Sequence, residues 1–487
     1  MRTLRLLLSC AMAVILSSSC VKKEVDEQPV PEPDPVFEAV NYFAYNALDL
    51  YYLWIDEIQD ALGDWHRYDN PVDAVAMVRY KDAEGKDIDK WTQVIDDFES
   101  FTSSVAGVST TLGLDFKLYY ADPSKSRVCA IVTFVYAGSP AEQAGLGRGD
   151  VIAEVDGMAM TPDNYVSIVN ERIFGGVEVN LKLASGRSVD LVPVKMYEEP
   201  VLTYKVFDCP GKKVAYLAYA SFTLDSYSSL MEAFGHFKEA GASELILDLR
   251  YNSGGYVIAE NTLASMIAPV DDVMAGSLFE QDVYNERMGK IMGSSSRTYL
   301  RTDYSFTSGT RQYEYNTAGL NPGFTKVYAL VSGDTASASE SLLVGLIPYM
   351  DVEIIGTRTY GKYCGGIMYG AEEWYEDYRK QLTQERYDAG MKNAVNWGIY
   401  MMVSRFADKN GDTPCMPDGF KPDFELDDDP TQPAPLGDPA EKMLAFALSR
   451  AGYPAPAPSA VPASETPVPE RTPFQHVRAG VRILPGF

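Results

Sequence analysis

The sequence contains few of the groups on which common hydrolase mechanisms depend. It has three histidines in 487 residues, and it contains no H-E-x-x-H motif, no C-x-x-C pair and no His/Cys cluster. These absences argue against a zinc hydrolase and against a thioredoxin-like site, so we expect no metal and no cofactor. His66, His236 and His476 all lie far from any candidate nucleophile, which makes a Ser-His-Asp triad a poor prediction.

Positive charge is also scarce. The chain has 42 Lys and Arg against 68 Asp and Glu, a net charge of −26. This excess repels phosphate backbones, so we expect no nucleic-acid partner and no adsorption to anionic lipid through a basic surface. The hydrophobic content of 46% is ordinary for a globular protein. The length predicts about three domains.

Long apolar runs are absent after the amino terminus, so no later segment is expected to span a bilayer as a helix of about 20 residues. Arg2 and Arg5 precede a mostly apolar run at 6–16, which predicts an export signal over 1–19. The three serines before Cys20 resemble the end of a bacterial lipoprotein signal. That resemblance implies a lipidated Cys20 as the only membrane contact, on an envelope protein at the periplasmic side of the outer membrane or at the cell surface. Ordinary secretion is the alternative.

Changes in composition divide the remainder of the chain. Apolar residues at helical spacing over 37–55 predict an amphipathic helix, and strands alternating with helices after residue 204 predict a sheet covered by helices. The overall prediction is a mixed α/β protein. Its regions are an extended linker at 20–36, a helical N-terminal domain at 37–101, a β-rich domain at 105–194, an α/β domain at 204–451 and a proline-rich tail at 452–487.

The β-rich region resembles a PDZ domain of the type found in bacterial periplasmic proteases. The resemblance lies in the pattern SPAEQAGLGRGDVI followed by VDG, and in an upstream LGLDF. In such domains successive backbone N–H groups converge on a terminal carboxylate and an open strand edge pairs with the peptide. The resemblance therefore implies that polypeptide C-termini bind here, and a plain spacer domain is the alternative. The implied peptide-binding residues are Leu112, Gly113, Leu114, Asp115 and Phe116.

One segment of the α/β region brings a hydroxyl and an amine into a plausible arrangement. Ser337 follows a predicted strand and opens a predicted helix, where unpaired backbone N–H groups favour developing negative charge. A serine nucleophile needs a base, and a lysine can serve if burial lowers its pKa from about 10.4 to roughly 7–8. Lys362 follows another predicted strand and a glycine turn, so it is the candidate.

The order PDZ, LDLRYNSGG, TASASE and YGK resembles the C-terminal processing (tail-specific) protease family of Ser/Lys peptidases. The resemblance implies a ClpP/crotonase-like catalytic domain, polypeptide substrates, Ser337 as nucleophile and Lys362 as general base. It also implies an oxyanion hole from the N–H groups of Gly254 and Ala338. Glu340 either orients the lysine or caps the helix.

The chain departs from that family at one position and leaves several questions open. Many members have a glutamine four residues after the lysine, where this chain has Gly366. A disulfide between Cys364 and Cys415 would fix the loop that carries the base, and buried thiols are the alternative. A peptide-binding envelope lipoprotein without catalytic geometry is the main rival, and a carbohydrate-processing protein is suggested only by the tyrosine-rich 272–324. The oligomeric state is not predicted.

Overall fold

The computed structural model describes residues 34–431, 434–454 and 482–483. The predicted export signal, Cys20, most of the linker and most of the tail lie outside the described residues. Within the described ranges, none of the helices combines the length and the apolar character needed to cross a bilayer.

The N-terminal region is mainly helical. Its first helix begins two residues before the predicted start, because Pro35 occupies the first turn and the Asp34 carboxylate accepts a hydrogen bond from the Val36 N–H at 2.8 Å. The apolar face packs against residues 364–403 of the α/β region, so this region shares a core with that region. The elements are α1 (Pro35–Tyr51), α2 (Gln59–Gly63), α3 (Pro71–Val78), β1 (Gln93–Ile95) and α4 (Phe98–Val105).

The next region is a small β domain with its own hydrophobic core. Its main sheet has the order β3-β4-β5-β7-β8, so β3 forms an edge. β2 pairs with β9, and the chain therefore enters and leaves the domain side by side. The elements are β2 (Val108–Thr111), β3 (Leu114–Tyr120), β4 (Val128–Val135), α5 (Pro140–Gln143), β5 (Val151–Val155), β6 (Met158–Ala159), α6 (Tyr165–Ile168), β7 (Val179–Leu183), β8 (Ser188–Leu191) and β9 (Val194–Tyr197).

The α/β region begins with a sheet of order β10-β11-β12-β18-β19-β22, parallel from β11 onward. Alternate residues of β11 point to opposite faces of this sheet. Ala215 and Leu217 pack under α7, α8 and α11, whereas Val214 and Tyr216 pack under α14. The elements of this layer are β10 (Val201–Cys209), β11 (Lys212–Tyr219), α7 (Tyr227–Ala240), β12 (Glu244–Asp248), β18 (Lys326–Val331), α11 (Ala338–Leu346), β19 (Asp351–Gly356), β22 (Phe424–Glu425) and α14 (Lys442–Arg450).

A second sheet has the order β13-β23-β20-β21-β14-β15, and β1 of the N-terminal region also pairs with β21. The stretch 272–324, which the sequence left unread, supplies two of its strands and a separate hairpin. The elements are β13 (Gly255–Tyr256), α8 (Val257–Ile267), α9 (Val270–Ala275), β14 (Leu278–Tyr284), α10 (Glu286–Met292), β15 (Arg297–Tyr299), β16 (Asp303–Ser308), β17 (Arg311–Asn316), β20 (Cys364–Gly370), α12 (Ala371–Asp377), α13 (Gln384–Asn393), β21 (Gly398–Asp408) and β23 (Arg482–Ile483).

The mixed α/β class is confirmed. Strands β12, β18 and β19 run parallel, so their carboxyl ends meet at one edge of the first sheet. The segments that carry Asn252, Ser337 and Lys362 all follow these carboxyl ends. The fold thereby gathers the candidate catalytic residues at the place where open α/β sheets usually bind ligands.

Candidate active site

Ser337 lies at the N-terminus of α11 in a strained conformation. Its φ of 60° is in the left-handed region, which non-glycine residues rarely adopt. The side chain is fully buried, and its Oγ has no hydrogen-bond partner among the described residues. Contacts on both sides hold the strained backbone: the Ala336 N–H and the Ser339 Oγ both donate to the Asn252 carbonyl, at 3.2 and 3.0 Å. Backbone strain and an unsatisfied buried hydroxyl are both features that concentrate at active sites.

Lys362 is fully buried between aromatic rings. Its Nζ donates a hydrogen bond to the Tyr400 hydroxyl at 3.0 Å and lies 4.9 Å from the centre of the Tyr400 ring and 5.4 Å from that of Trp91. Burial disfavours the charged form of an amine. Because the Ser337 Oγ has no partner, the serine-to-lysine hydrogen bond of a working dyad is not formed in this structure.

Glu340 connects the two candidate residues through their main chains. Its Oε2 accepts from the Ser337 N–H at 3.1 Å and from the Lys362 N–H at 2.8 Å. Its Oε1 accepts from the Gly361 N–H at 2.8 Å and from the Thr359 hydroxyl at 2.6 Å. Burial raises the pKa of Glu340 to about 7, although these hydrogen bonds act in the opposite direction. One carboxylate thus binds both the start of α11 and the loop that carries the lysine.

The two N–H groups predicted to form the oxyanion hole differ in their hydrogen bonding. Ala338 is the first residue of α11, where a backbone N–H has no partner within the helix. The Gly254 N–H, in contrast, donates to the Asn252 side-chain oxygen at 2.9 Å. The Gly254 N–H is therefore not free, and it must leave Asn252 before it can bind an oxyanion.

The glycine turn is tightly packed. Gly254 and Gly255 have φ values of 110° and 144°, and a Cβ on Gly255 would lie 2.3 Å from the Phe222 carbonyl oxygen. Only glycine fits there. Gly255 also pairs with Arg482 of β23, and Gly366 pairs with Ile483. Arg482 and Ile483 of the C-terminal tail thus lie beside the candidate oxyanion turn.

The predicted peptide-binding residues are packed into the β domain. Leu112, Leu114 and Phe116 are buried in its core, and the Gly113 N–H donates to the Thr111 hydroxyl at 2.9 Å. Asp115 accepts a hydrogen bond from the Thr133 hydroxyl at 2.8 Å. The feature best suited to bind a peptide is therefore the open edge of β3, which begins within this segment.

Ionic contacts, one group of them buried, join the β domain to the α/β region. Lys117 of β3 lies 3.5 Å from the carboxylate of Asp334, three residues before Ser337. Arg148 contacts Asp428 at 2.6 Å, and Asp428 also contacts Arg250 at 3.1 Å. Burial alone would raise the pKa of Asp428, but the positive charges of Arg148 and Arg250 hold this pKa well below its usual range. The edge strand β3 is thus linked directly to the loop of the candidate nucleophile.

Sequence reasoning missed Trp91 and Tyr400, because no motif or spacing connects either residue with Lys362. Of the two alternatives that the sequence left open for Cys364 and Cys415, a disulfide and buried thiols, the structure has the buried thiols. Cys364 and Cys415 are both fully buried, and no disulfide bond joins the described cysteines. Of the histidines, His66 and His236 are exposed, and His476 lies outside the described residues.

Comparison with known proteins identifies both domains. Residues 213–426 match the model of peptidase family S41, and residues 131–172 match a PDZ domain. A carboxyl-terminal-processing protease of Synechocystis sp. is 28% identical over 240 residues, which cover 46% of this chain and 48% of that protein. The corresponding protease of Picosynechococcus sp. is 23% identical over 316 residues, 63% of this chain and 67% of that protein. The match thus spans about half to two thirds of these relatives.

The fold is also found among solved structures. The crystal structure of a putative S41 protease from Bacteroides fragilis superposes with a TM-score of 0.60 at 21% identity. The superposition covers 87% of this chain and 98% of that one. At this identity the likeness establishes the shared fold.

Proposed function

Because the chain is a homologue of the C-terminal processing proteases, with a peptidase family S41 domain and a PDZ domain, we propose that it is a serine-type endopeptidase. Ser337 is the nucleophile and Lys362 is the general base. The proposal is carried by the hydrogen bonds of the Glu340 carboxylate. A single oxygen of this carboxylate accepts hydrogen bonds from the main-chain N–H groups of both Ser337 and Lys362. That bridge fixes the base-bearing loop relative to the nucleophile.

The proposed reaction proceeds through an acyl-enzyme. Neutral Lys362 takes the proton of the Ser337 hydroxyl while Oγ attacks the substrate carbonyl carbon. The N–H groups of Ala338 and Gly254 stabilise the oxyanion. The lysine ammonium then protonates the departing amine, and the neutral lysine deprotonates the water that hydrolyses the ester.

Two local changes are required before this reaction can begin. The Lys362 amine must approach the Ser337 Oγ, which has no partner among the described residues. The Gly254 N–H must also exchange its bond to Asn252 for the substrate oxygen. Hydrogen bonds of catalytic groups are often long or absent without substrate and form in its complex. Substrate binding is the proposed trigger for both changes.

The proposal extends to substrate choice and location. Polypeptide C-termini pair with the edge of β3, and the Lys117 to Asp334 contact brings that edge close to the Ser337 loop. Lipidation of Cys20 holds the enzyme in the cell envelope. The chain needs no metal or cofactor for this chemistry.

Cleavage of an unstructured protein tests the proposal. Wild type is compared with Ser337→Ala and Lys362→Ala on β-casein, and each variant is expected to lose at least about a hundredfold in kcat/KM. Ser228→Ala and Lys290→Ala are matched controls, because both side chains are exposed on other helices. Equal cleavage by wild type and both site variants would disprove the assignment.

A peptide-binding protein without catalysis is the second candidate. It is favoured by the missing hydrogen bond between Ser337 and Lys362 and by the occupied Gly254 N–H. It predicts that wild type leaves β-casein intact and still binds peptides through their free C-termini. Titration calorimetry with a peptide and its C-terminally amidated form tests this binding, and the presence or absence of β-casein cleavage distinguishes the two functions.

A further inference from the structure

The surroundings of the Lys362 amine contain a residue with no assigned role. We propose that Tyr400 is a positioning residue for Lys362, whose hydroxyl and ring hold the amine for proton transfer. This inference rests on the proposed function, since it concerns the base of that reaction. The Nζ of Lys362 donates to the Tyr400 hydroxyl at 3.0 Å and lies 4.9 Å from the centre of its ring.

The position of the Tyr400 ring depends on a glycine in the neighbouring strand. A Cβ on Gly366 would lie 2.8 Å from Cε2 of Tyr400, 2.5 Å from Cε of Met402 and 2.8 Å from the Met401 carbonyl oxygen. Cβ atoms essentially never approach that closely, so a side chain at 366 and the tyrosine ring exclude each other. Position 366 is four residues after the lysine. A side chain at 366 would therefore displace the Tyr400 ring that contacts the Lys362 amine.

The contact suits the protonation cycle of the lysine. A neutral amine has two N–H bonds and one lone pair. When one N–H donates to the Tyr400 oxygen, the rotation of the amine is restricted and the lone pair remains available for the serine proton. After proton uptake the amine becomes an ammonium, which keeps its hydrogen bond to the Tyr400 oxygen and is attracted by the Trp91 ring. The cage therefore stabilises charge as it develops.

The cage is anchored by three elements. The main-chain N–H of Trp91 donates to the Asp89 carboxylate at 2.9 Å. The hydroxyl of the next residue, Thr92, accepts a hydrogen bond from the Met402 main-chain N–H at 3.1 Å, which attaches this segment to β21. From α11, Glu340 holds the Lys362 main chain. The titratable groups that contact the amine, its main chain or the Trp91 segment include Asp89, Glu340, Tyr360, Tyr363 and Tyr400.

The test is Tyr400→Phe, which keeps the ring and removes the oxygen. We expect a fall of about tenfold in kcat/KM on β-casein with little change in KM. The acid limb of the pH profile should also move to lower pH, because the lost acceptor had favoured the ammonium. Tyr369→Phe is the matched control, since Tyr369 lies in β20 of the same sheet and its hydroxyl donates to Asp377 of α12. An unchanged kcat/KM and pH profile in Tyr400→Phe would overturn the proposal.

A second measurement does not depend on proteolysis. Lysine labelled with ¹³C at Cε is incorporated, and the Lys362 signal is assigned by its loss in Lys362→Met. Tyr400→Phe should shift the titration of that signal to lower pH, whereas Tyr369→Phe should leave it in place. If wild type fails to cleave β-casein, the proposed function fails, and the titration still decides whether Tyr400 controls the amine. An identical titration in wild type and Tyr400→Phe contradicts the inference.

Discussion

At the scale of single residues, Glu340 has the greatest influence on the site. It is fully buried and accepts hydrogen bonds from Ser337, Thr359, Gly361 and Lys362. In Glu340→Gln, an amide NH₂ must face at least one of these donors. We expect a loss of about 1–3 kcal/mol in the free energy of unfolding and a fall of at least tenfold in kcat/KM.

Urea unfolding and β-casein cleavage check this prediction. Glu385→Gln is the control, since Glu385 also lies in a first helical turn and is exposed. Wild-type stability and activity in Glu340→Gln would show that the carboxylate is dispensable.

The raised pKa of Glu340 predicts a dependence of stability on pH. Burial raises this pKa from 4.5 to about 7, so the folded state binds the proton more tightly than the unfolded state. The contribution of Glu340 to the free energy of unfolding is therefore full below pH 4.5 and falls by about 3 kcal/mol as the pH rises to 7. Subtracting the urea-unfolding curve of Glu340→Gln from that of wild type at each pH isolates this group. A difference that stays flat or grows over this range would contradict the prediction.

Sequence reasoning reached some of these residues and not others, for a physical reason. Ser337 and Lys362 stand in short motifs with local requirements, a helix start and a turn after a strand. Tyr400 and Trp91 approach the lysine only after two distant segments have packed together. Their sequence neighbourhoods describe a buried strand and a core aromatic residue, which are patterns that carry no sign of the amine they contact.

At the scale of elements, the packing of α11 against β14 determines where Ser337 lies. Gly345 of α11 faces the Phe279 ring of β14, and a Cβ there would lie 2.3 Å from Cζ. Gly345→Ala should therefore displace the ring or the helix, at a cost of about 1–3 kcal/mol, and should lower kcat/KM. Gly235→Ala in α7 is the control, because nothing lies within 4 Å of its Cβ position.

Thermal unfolding and β-casein cleavage separate these variants. The control should be neutral or slightly more stable, since alanine favours the helix by about 1 kcal/mol over glycine. Equal behaviour of the two variants would mean that the contact between α11 and β14 does not fix the nucleophile.

The same scale shows which elements could be predicted. The predicted alternation of strands and helices after residue 204 is present, for example in α7 (Tyr227–Ala240) and β18 (Lys326–Val331). Both have a clear apolar period and are covered by neighbours on their apolar sides. The hairpin of β16 and β17 was not predicted, because its stability comes from contacts between rings, such as Tyr227 with Tyr315 at 4.1 Å. β13 has two residues and is defined only by its pairing with β23 and by a bridge between Phe222 and Gly255.

At the scale of the whole molecule, Arg148 fastens the PDZ domain to the peptidase domain. Its side chain is 4% exposed and contacts Asp428, which is itself buried. Arg148→Ala leaves that carboxylate with less positive charge, and losing one partner of a buried pair costs about 3–5 kcal/mol. Calorimetry should show an earlier, separate transition for the PDZ domain.

Arg172→Ala, which breaks a half-exposed pair with Asp156 inside that domain, should cost less than about 1 kcal/mol. A single unchanged transition in Arg148→Ala would refute the coupling.

The last prediction concerns the C-terminal tail. Arg482 and Ile483 pair with Gly255 and Gly366 beside the oxyanion turn, and a substrate bound as an extended strand requires free backbone edges of this kind. A chain that ends after Pro454 should therefore have a lower KM for β-casein than the full chain. A synthetic peptide of residues 474–487 should inhibit the shortened enzyme competitively, and a scrambled peptide should not. If truncation leaves KM unchanged and the peptide does not compete, the tail does not occupy the site that the substrate uses.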